Sequence, residues 1–168
     1  LLSACANPIN RVTSDNYAET CSIAEKNGRL GVAEQACYRA LVNVDMGNLG
    51  PELKSQRLYN LARIKRRLEK FGEAEELLKA SIPIEQTLSA STSPQMGRRL
   101  IELAAALAGQ DKWQEGAEYL TRAIPIAPVF VGGERSYAKL AFIQFAAKLR
   151  SLNESELAAR FEATGNSL

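Results

Sequence analysis

Leu61 to Ile84 reads LARIKRRLEKFGEAEELLKASIPI, and at an offset of 42 residues Leu103 to Ile126 reads LAAALAGQDKWQEGAEYLTRAIPI. Leu61-Ala62 falls on Leu103-Ala104, Phe71 on Trp113, and Glu73 and Glu76 on Glu115 and Glu118. Leu78 falls on Leu120, and Ile82-Pro83-Ile84 on Ile124-Pro125-Ile126. A proline-containing tripeptide that recurs in register with an aromatic and a Leu-Ala pair marks an internal repeat. A period of this length belongs to repeat architectures, in which each unit buries its apolar face on its neighbours.

Each unit reads as two helices. Leu58, Leu61, Ile64 and Leu68 recur at three- and four-residue spacing and make one apolar face. Gly72 supplies a turn position, and Ala74, Leu77, Leu78 and Ile82 form a second stripe. The next unit repeats this with Leu100, Leu103, Ala104 and Leu107, a break at Gly109-Gln110-Asp111, then Trp113, Ala117, Leu120 and Ile124. The small residues Ala62, Ala74, Ala104 and Gly116 stand where paired helices approach most closely. Upstream, Tyr17, Cys21, Leu30, Ala33, Cys37 and Ala40 take the same roles, with Asn16 and Glu19 as a capping box and Gly28 as a helix stop. Downstream, Leu140-Ala141 matches Leu61-Ala62, and a partner helix from Asn153 to Thr164 fits with a two-residue insertion. The expected units are 14–45, 52–88, 95–128 and 134–165, an all-α chain of about four helix–turn–helix repeats.

These residues resemble the tetratricopeptide repeat family. Its pattern of an early small residue, an aromatic opening the second helix, then alanines and a late proline falls on Ala62, Phe71, Ala74 and Ser81, where Ser81, like Gly116 in the next unit, is small but not the favoured alanine. It falls again on Ala104, Trp113, Gly116, Ala123 and Pro128. The 42-residue period and the string Tyr59-Asn60-Leu61-Ala62 look like the longer subtype of kinesin light chains. The resemblance implies a right-handed superhelical array whose first helices line a groove for a partner protein or peptide.

On that resemblance, Gln56, Tyr59, Asn60, Arg63, Arg66 and Arg67 face the groove, with Lys70 beside them. Arg98, Arg135, Lys139 and Phe142 extend it in the later units. Asn60 is placed to hydrogen-bond a peptide backbone, and the arginines to pair with carboxylates of an acidic partner. The carboxylate clamp of other family members is incomplete. Asn60 and Arg98 stand at clamp positions, but Ala18 and Ser22 occupy those of a lysine and an asparagine.

The totals agree with a binding role. The 168 residues are 46% hydrophobic and carry a net charge of +2, too little to nominate nucleic acid. Histidine is absent, which removes the commonest general base and metal ligand. The three cysteines include no C-x-x-C pair, and no phosphate-binding glycine loop or nucleophile elbow occurs. Glu73, Glu75 and Glu76 neighbour lysines as ordinary helix-surface pairs. Gly132-Gly133 is an isolated loop pair. No enzyme activity, cofactor or metal is nominated.

Leu2-Ser3-Ala4-Cys5 resembles the lipobox of bacterial lipoproteins, in which the cysteine carries diacylglycerol. With the polar, helix-free stretch Ala6-Asn7-Pro8-Ile9-Asn10, this implies a signal-peptide remnant and flexible tether over 1–13, ahead of a repeat domain over 14–168. The expectation is a membrane-tethered scaffold of the cell envelope, facing the periplasm or exterior. The alternative is a soluble cytoplasmic chaperone or regulator of the same fold. Cys21 and Cys37 occupy close-approach positions of one helix pair. They form a disulfide if the domain lies outside the cytoplasm, or remain two buried thiols acting as small hydrophobes.

Overall fold

The computed structural model describes residues 6–168, which contain eight α-helices and no strand. They run α1 Pro8–Lys26, α2 Leu30–Met46, α3 Pro51–Arg67, α4 Phe71–Leu88, α5 Pro94–Ala108, α6 Trp113–Ala123, α7 Gly132–Ser151 and α8 Ser155–Ser167. A short 3-10 turn, Ala127–Val129, lies between α6 and α7. Odd- and even-numbered helices pair into four antiparallel hairpins, α1 with α2 through α7 with α8. The chain divides into two compact units, one ending at Leu88 and one beginning at Ser89.

The repeat is more regular than its residues advertise. The second helix of each hairpin starts at Leu30, Phe71, Trp113 and Ser155, steps of 41, 42 and 42. Two residues before each start, the chain turns through the left-handed region at Gly28 (φ 70°), Glu69 (60°), Asp111 (61°) and Asn153 (64°). That conformation suits Gly, Asp and Asn, whereas Glu69 holds it against its own preference. The turn of the second hairpin therefore lies at Glu69, and Gly72 sits inside α4.

This register corrects the reading of the fourth unit. The counterparts of Leu61-Ala62 are Phe145-Ala146, not Leu140-Ala141, and α8 needs no insertion. Ala158 follows Ala33, Ala74 and Gly116 at the close-approach position of the second helix, and all four are buried. Gly165 follows Ala40, Ser81 and Ala123, again all buried.

The start of the domain also moves. Asn7 caps α1, its side-chain oxygen accepting the Ile9 backbone N–H at 2.9 Å, and Pro8 takes the first helical position. Proline's fixed φ is pre-set for a helix start, and its missing N–H would be unbonded there anyway. Residues 8–13 are thus helical, not tether. Asn16 lies within α1, where its carbonyl accepts the Thr20 hydroxyl at 2.9 Å, so no capping box forms there. Gly132-Gly133 opens α7 instead of forming an isolated loop.

In the first unit the core joins Cys21, Ala24, Ala33 and Cys37 to Leu58, Leu61 and Ile64, with Leu68, Leu77 and Ile84 packed around them. Cys21 and Cys37 are disulfide-bonded, with Cα atoms 5.2 Å apart. Cys21 stands where the other hairpins carry Ala62, Ala104 and Ala146. Buried hydroxyls close the same hairpins. Ser14 Oγ donates to the Ala40 carbonyl at 2.8 Å, and Ser81 Oγ to the Ser55 carbonyl at 2.9 Å. Ser55 Oγ also donates to Glu85 Oε2 at 2.9 Å.

The second unit puts glycine under large apolar groups at Gly97, the counterpart of Ser55, at Gly165, the counterpart of Ser81, and at Gly116, the counterpart of Ala74. A Cβ on Gly97 would lie 2.7 Å from Ile126 and Phe130, and one on Gly165 would lie 2.8 Å from Ile143. A Cβ on Gly116 would lie 2.9 Å from Phe145 and 3.1 Å from the Ala104 carbonyl oxygen. Trp113, Phe145, Phe161 and Phe142 form a chain of edge-to-face contacts with centroids 5.0, 6.3 and 5.6 Å apart.

Candidate partner-binding faces

In the first unit α3 buries Leu58, Leu61, Ala62 and Ile64 and turns the anticipated binding residues away from them. Gln56 and Arg67 are exposed, while Tyr59, Asn60, Arg63 and Arg66 are half-buried. Arg63 lies over the Tyr59 ring, 5.7 Å from its centroid. The residues therefore share one face.

That face is already engaged from within. Glu25 of α1 pairs with Arg63 and, through its other oxygen, with Arg67 at 3.0 Å. Asp15 of α1 takes Arg57 at 2.6 Å, a buried guanidinium whose Nε also reaches Ser14 Oγ at 3.3 Å. On the neighbouring side Glu34 of α2 receives Lys65 at 2.6 Å and Lys70 at 2.7 Å. Hydrogen bonds from Lys65 and then Lys70 hold the Glu34 carboxyl below the usual carboxylate range. Carboxylates of the first hairpin thus answer the cations of the second. These acidic partners, Asp15, Glu25 and Glu34, are functional neighbours that the helix-face pattern of α3 alone does not disclose. The available signal was the offset: Glu25 is the counterpart of Arg66, one repeat upstream.

In the second unit the sequence-derived set separates. Arg98 Nε approaches Glu134 at 3.3 Å, Arg135 is exposed and lies 3.5 Å from the Pro128 carbonyl, and Lys139 is exposed. Phe142 is not a surface residue. It is fully buried against Phe161 and takes the core place of Leu58 and Leu100. Its assignment to the groove came from matching Leu140 to Leu61, a register five residues out. The true counterparts of Gln56, Asn60 and Arg63 are Leu140, Gln144 and Ala147, all exposed. The corresponding face here is less charged than on α3.

Between α2 and α3 an open cavity of about 340 Å³ is lined by Val44, Asp45, Asn48, Leu49, Lys54 and Ile84, among others. Lys54 and Asp45 form an ion pair at it. Among the described residues no group of three or more acidic, cysteine or histidine side chains is arranged to hold a metal. Among the described residues no helix is long and apolar enough to cross a membrane. Cys5, the anticipated lipid site, lies outside the described residues.

Neither a family model nor a curated protein matches this sequence. Solved structures do. The Podosopora anserina kinesin light chain protein of nearly identical TPR-like repeats aligns over 92% of this chain and 74% of its own, with TM-score 0.70 and 18% identity. BtubC (BKLC) from P. vanneervenii aligns over 94% of this chain and 63% of its own, with TM-score 0.79 and 17% identity. The fold is that of TPR-like repeats.

Proposed function

We propose that this TPR-like protein is an interaction scaffold, tethered to a membrane by lipid on Cys5, that helps assemble or regulate a bacterial envelope complex. The face of α3 carrying Gln56, Tyr59 and Asn60 holds a segment of the partner. The observation that carries the binding reading is this ordered polar face on a TPR-like hairpin. A flat aromatic next to amide side chains offers stacking and backbone hydrogen bonds to an extended peptide. An acidic partner must compete with Glu25 for Arg63 and Arg67, so acidic residues tune capture and do not drive it.

The extracytoplasmic setting draws its support from the Cys21–Cys37 bridge, since such bonds persist in oxidising compartments and are rare in the cytosol. The same bond weighs against a cytoplasmic chaperone. The anchor draws its support from Leu2-Ser3-Ala4-Cys5.

A crosslinked pull-down of the full-length protein from its native cells tests the face. Arg63, Arg66 and Arg67 changed to Glu would set new carboxylates beside Glu25, so loss of capture would confuse binding with folding. Gln56→Ala combined with Asn60→Ala leaves every ion pair in place. This double variant is expected to lose most of the partner while melting normally; undiminished capture would sink the proposal.

A further inference from the structure

We infer that one end of the α1/α2 hairpin, presenting Ile9, Val12 and Met46, is a bilayer-contact surface. The inference rests on the proposed lipid at Cys5 and adds what that lipid does to the orientation of the domain. Because α1 begins at Pro8, three peptide steps separate its first residue from Cys5. Consecutive Cα atoms lie about 3.8 Å apart, so the helix start stays within about 11 Å of the acylated residue. The headgroup region on each side of a bilayer is itself roughly 5–8 Å deep. The beginning of α1 therefore cannot leave the membrane surface.

What stands at that end is apolar. The Asn7 N–H donates to the Gly47 carbonyl at 2.9 Å, and Asn10 Nδ2 to Asn43 Oδ1 at 3.0 Å, so the first turn of α1 and the last of α2 form one edge. Ile9 is 75% exposed, Met46 73% and Val12 60%. The nearby charges are spent on each other. Arg11 and Arg57 share Asp15 at 3.0 and 2.6 Å, and Lys54 pairs with Asp45, so the charges near this edge are held in ion pairs. Three large apolar side chains open to water at the edge nearest an acyl anchor are the composition of an interfacial contact. Ile23, on the same side of α1, lies about 21 Å further along the axis at 1.5 Å per residue. An upright domain keeps it clear of the membrane.

The experiment couples the full chain through its Cys5 thiol to vesicles of phosphatidylcholine containing a maleimide-headgroup lipid. The Cys21–Cys37 bridge leaves Cys5 as the coupling thiol. In a Trp113→Phe background, Ile9→Trp, Met46→Trp and Ile23→Trp are compared in brominated and plain phosphatidylcholine. Bromolipid is expected to cut emission about twofold or more for Ile9→Trp and Met46→Trp, and to leave Ile23→Trp unchanged. No quenching at either edge position overturns the contact surface, as does equal quenching at Ile23, which would describe a helix lying flat. Metabolic labelling with a palmitate analogue tests the anchor separately. An unlabelled Cys5 overturns both readings, whereas a labelled Cys5 with unquenched tryptophans overturns the bilayer contact alone.

Discussion

The two halves of this chain keep one register with different chemistry. In the first unit the hairpins are closed by a disulfide, by buried hydroxyls and by carboxylates that reach from one hairpin to the next. In the second, glycine stands for Ser55 at Gly97 and for Ser81 at Gly165, under isoleucine and phenylalanine, alanine stands for Cys21, and the helices meet through a chain of aromatic edges. The steps of 41 and 42 residues survive the exchange. What the backbone needs at a helix crossing is a small residue; what then holds the crossing is open to choice. The choice has consequences for the surface, since polar closure spends charge on the α3 face and apolar closure frees the α7 face from that task.

The sharpest way to break the comparison is to remove an aromatic. Phe161→Ala empties a fully buried site and should destabilise the second unit by about 3–5 kcal/mol in urea titration. Loss below 1 kcal/mol would mean that the aromatic chain does not hold these helices. Next in size is the covalent closure of the first unit. Replacing both Cys21 and Cys37 by Ala releases a bridge between residues 16 apart and should cost about 3 kcal/mol. Hydrogen exchange should then quicken in α1 and α2, with α7 and α8 unaffected. Acceleration throughout the chain would show that the two units are not independent in stability.

Smaller effects test the polar seam. Ser55→Ala deprives Glu85 and Ser81 of a buried partner and should cost about 1–3 kcal/mol by thermal melting. A neutral result would place water in the seam. The ion pairs come last. Glu25→Gln weakens the link to Arg63 and Arg67, and for partly exposed groups about 0.2–1 kcal/mol is expected, vanishing in molar salt. Glu34 carries a pH signature. Because Lys65 and Lys70 depress its folded-state pKa, its contribution is complete above the ordinary value of 4.5 and is lost as pH falls below it. Glu34→Gln should therefore flatten part of the acid limb of the stability curve and leave its neutral region with a uniform offset.

The hairpins of the middle of the chain were legible because Phe71 and Trp113 open their second helices and Ile-Pro-Ile recurs, inside α4 and just after the end of α6. The last hairpin hid its register. Ser155 opens α8 where an aromatic was wanted, and Leu140-Ala141 imitates Leu61-Ala62 by coincidence. The dependable signal was the left-handed turn residue. Gly28, Asp111 and Asn153 are types that tolerate that conformation, but Glu69 breaks the series and conceals it. The Arg-rich side of α3 was readable as a helix face. Its occupation by Glu25 and Glu34 was not, because periodicity within a helix carries no information about what the neighbouring helix sends across. The early start of α1 was obscured by residues that look like loop. Asn and Pro there are a cap and a first turn.

The disulfide bears on the order in which the protein can mature. Three thiols allow three pairings, and Cys5 is as far from Cys21 in sequence as Cys21 is from Cys37. Loop-closure entropy therefore gives an unfolded chain no preference between the right bond and the wrong one involving Cys21. Were Cys5 acylated as proposed, and ahead of oxidation, that thiol would be withdrawn and a single bond left to be made. The lipid would then serve as a protecting group before it serves as an anchor.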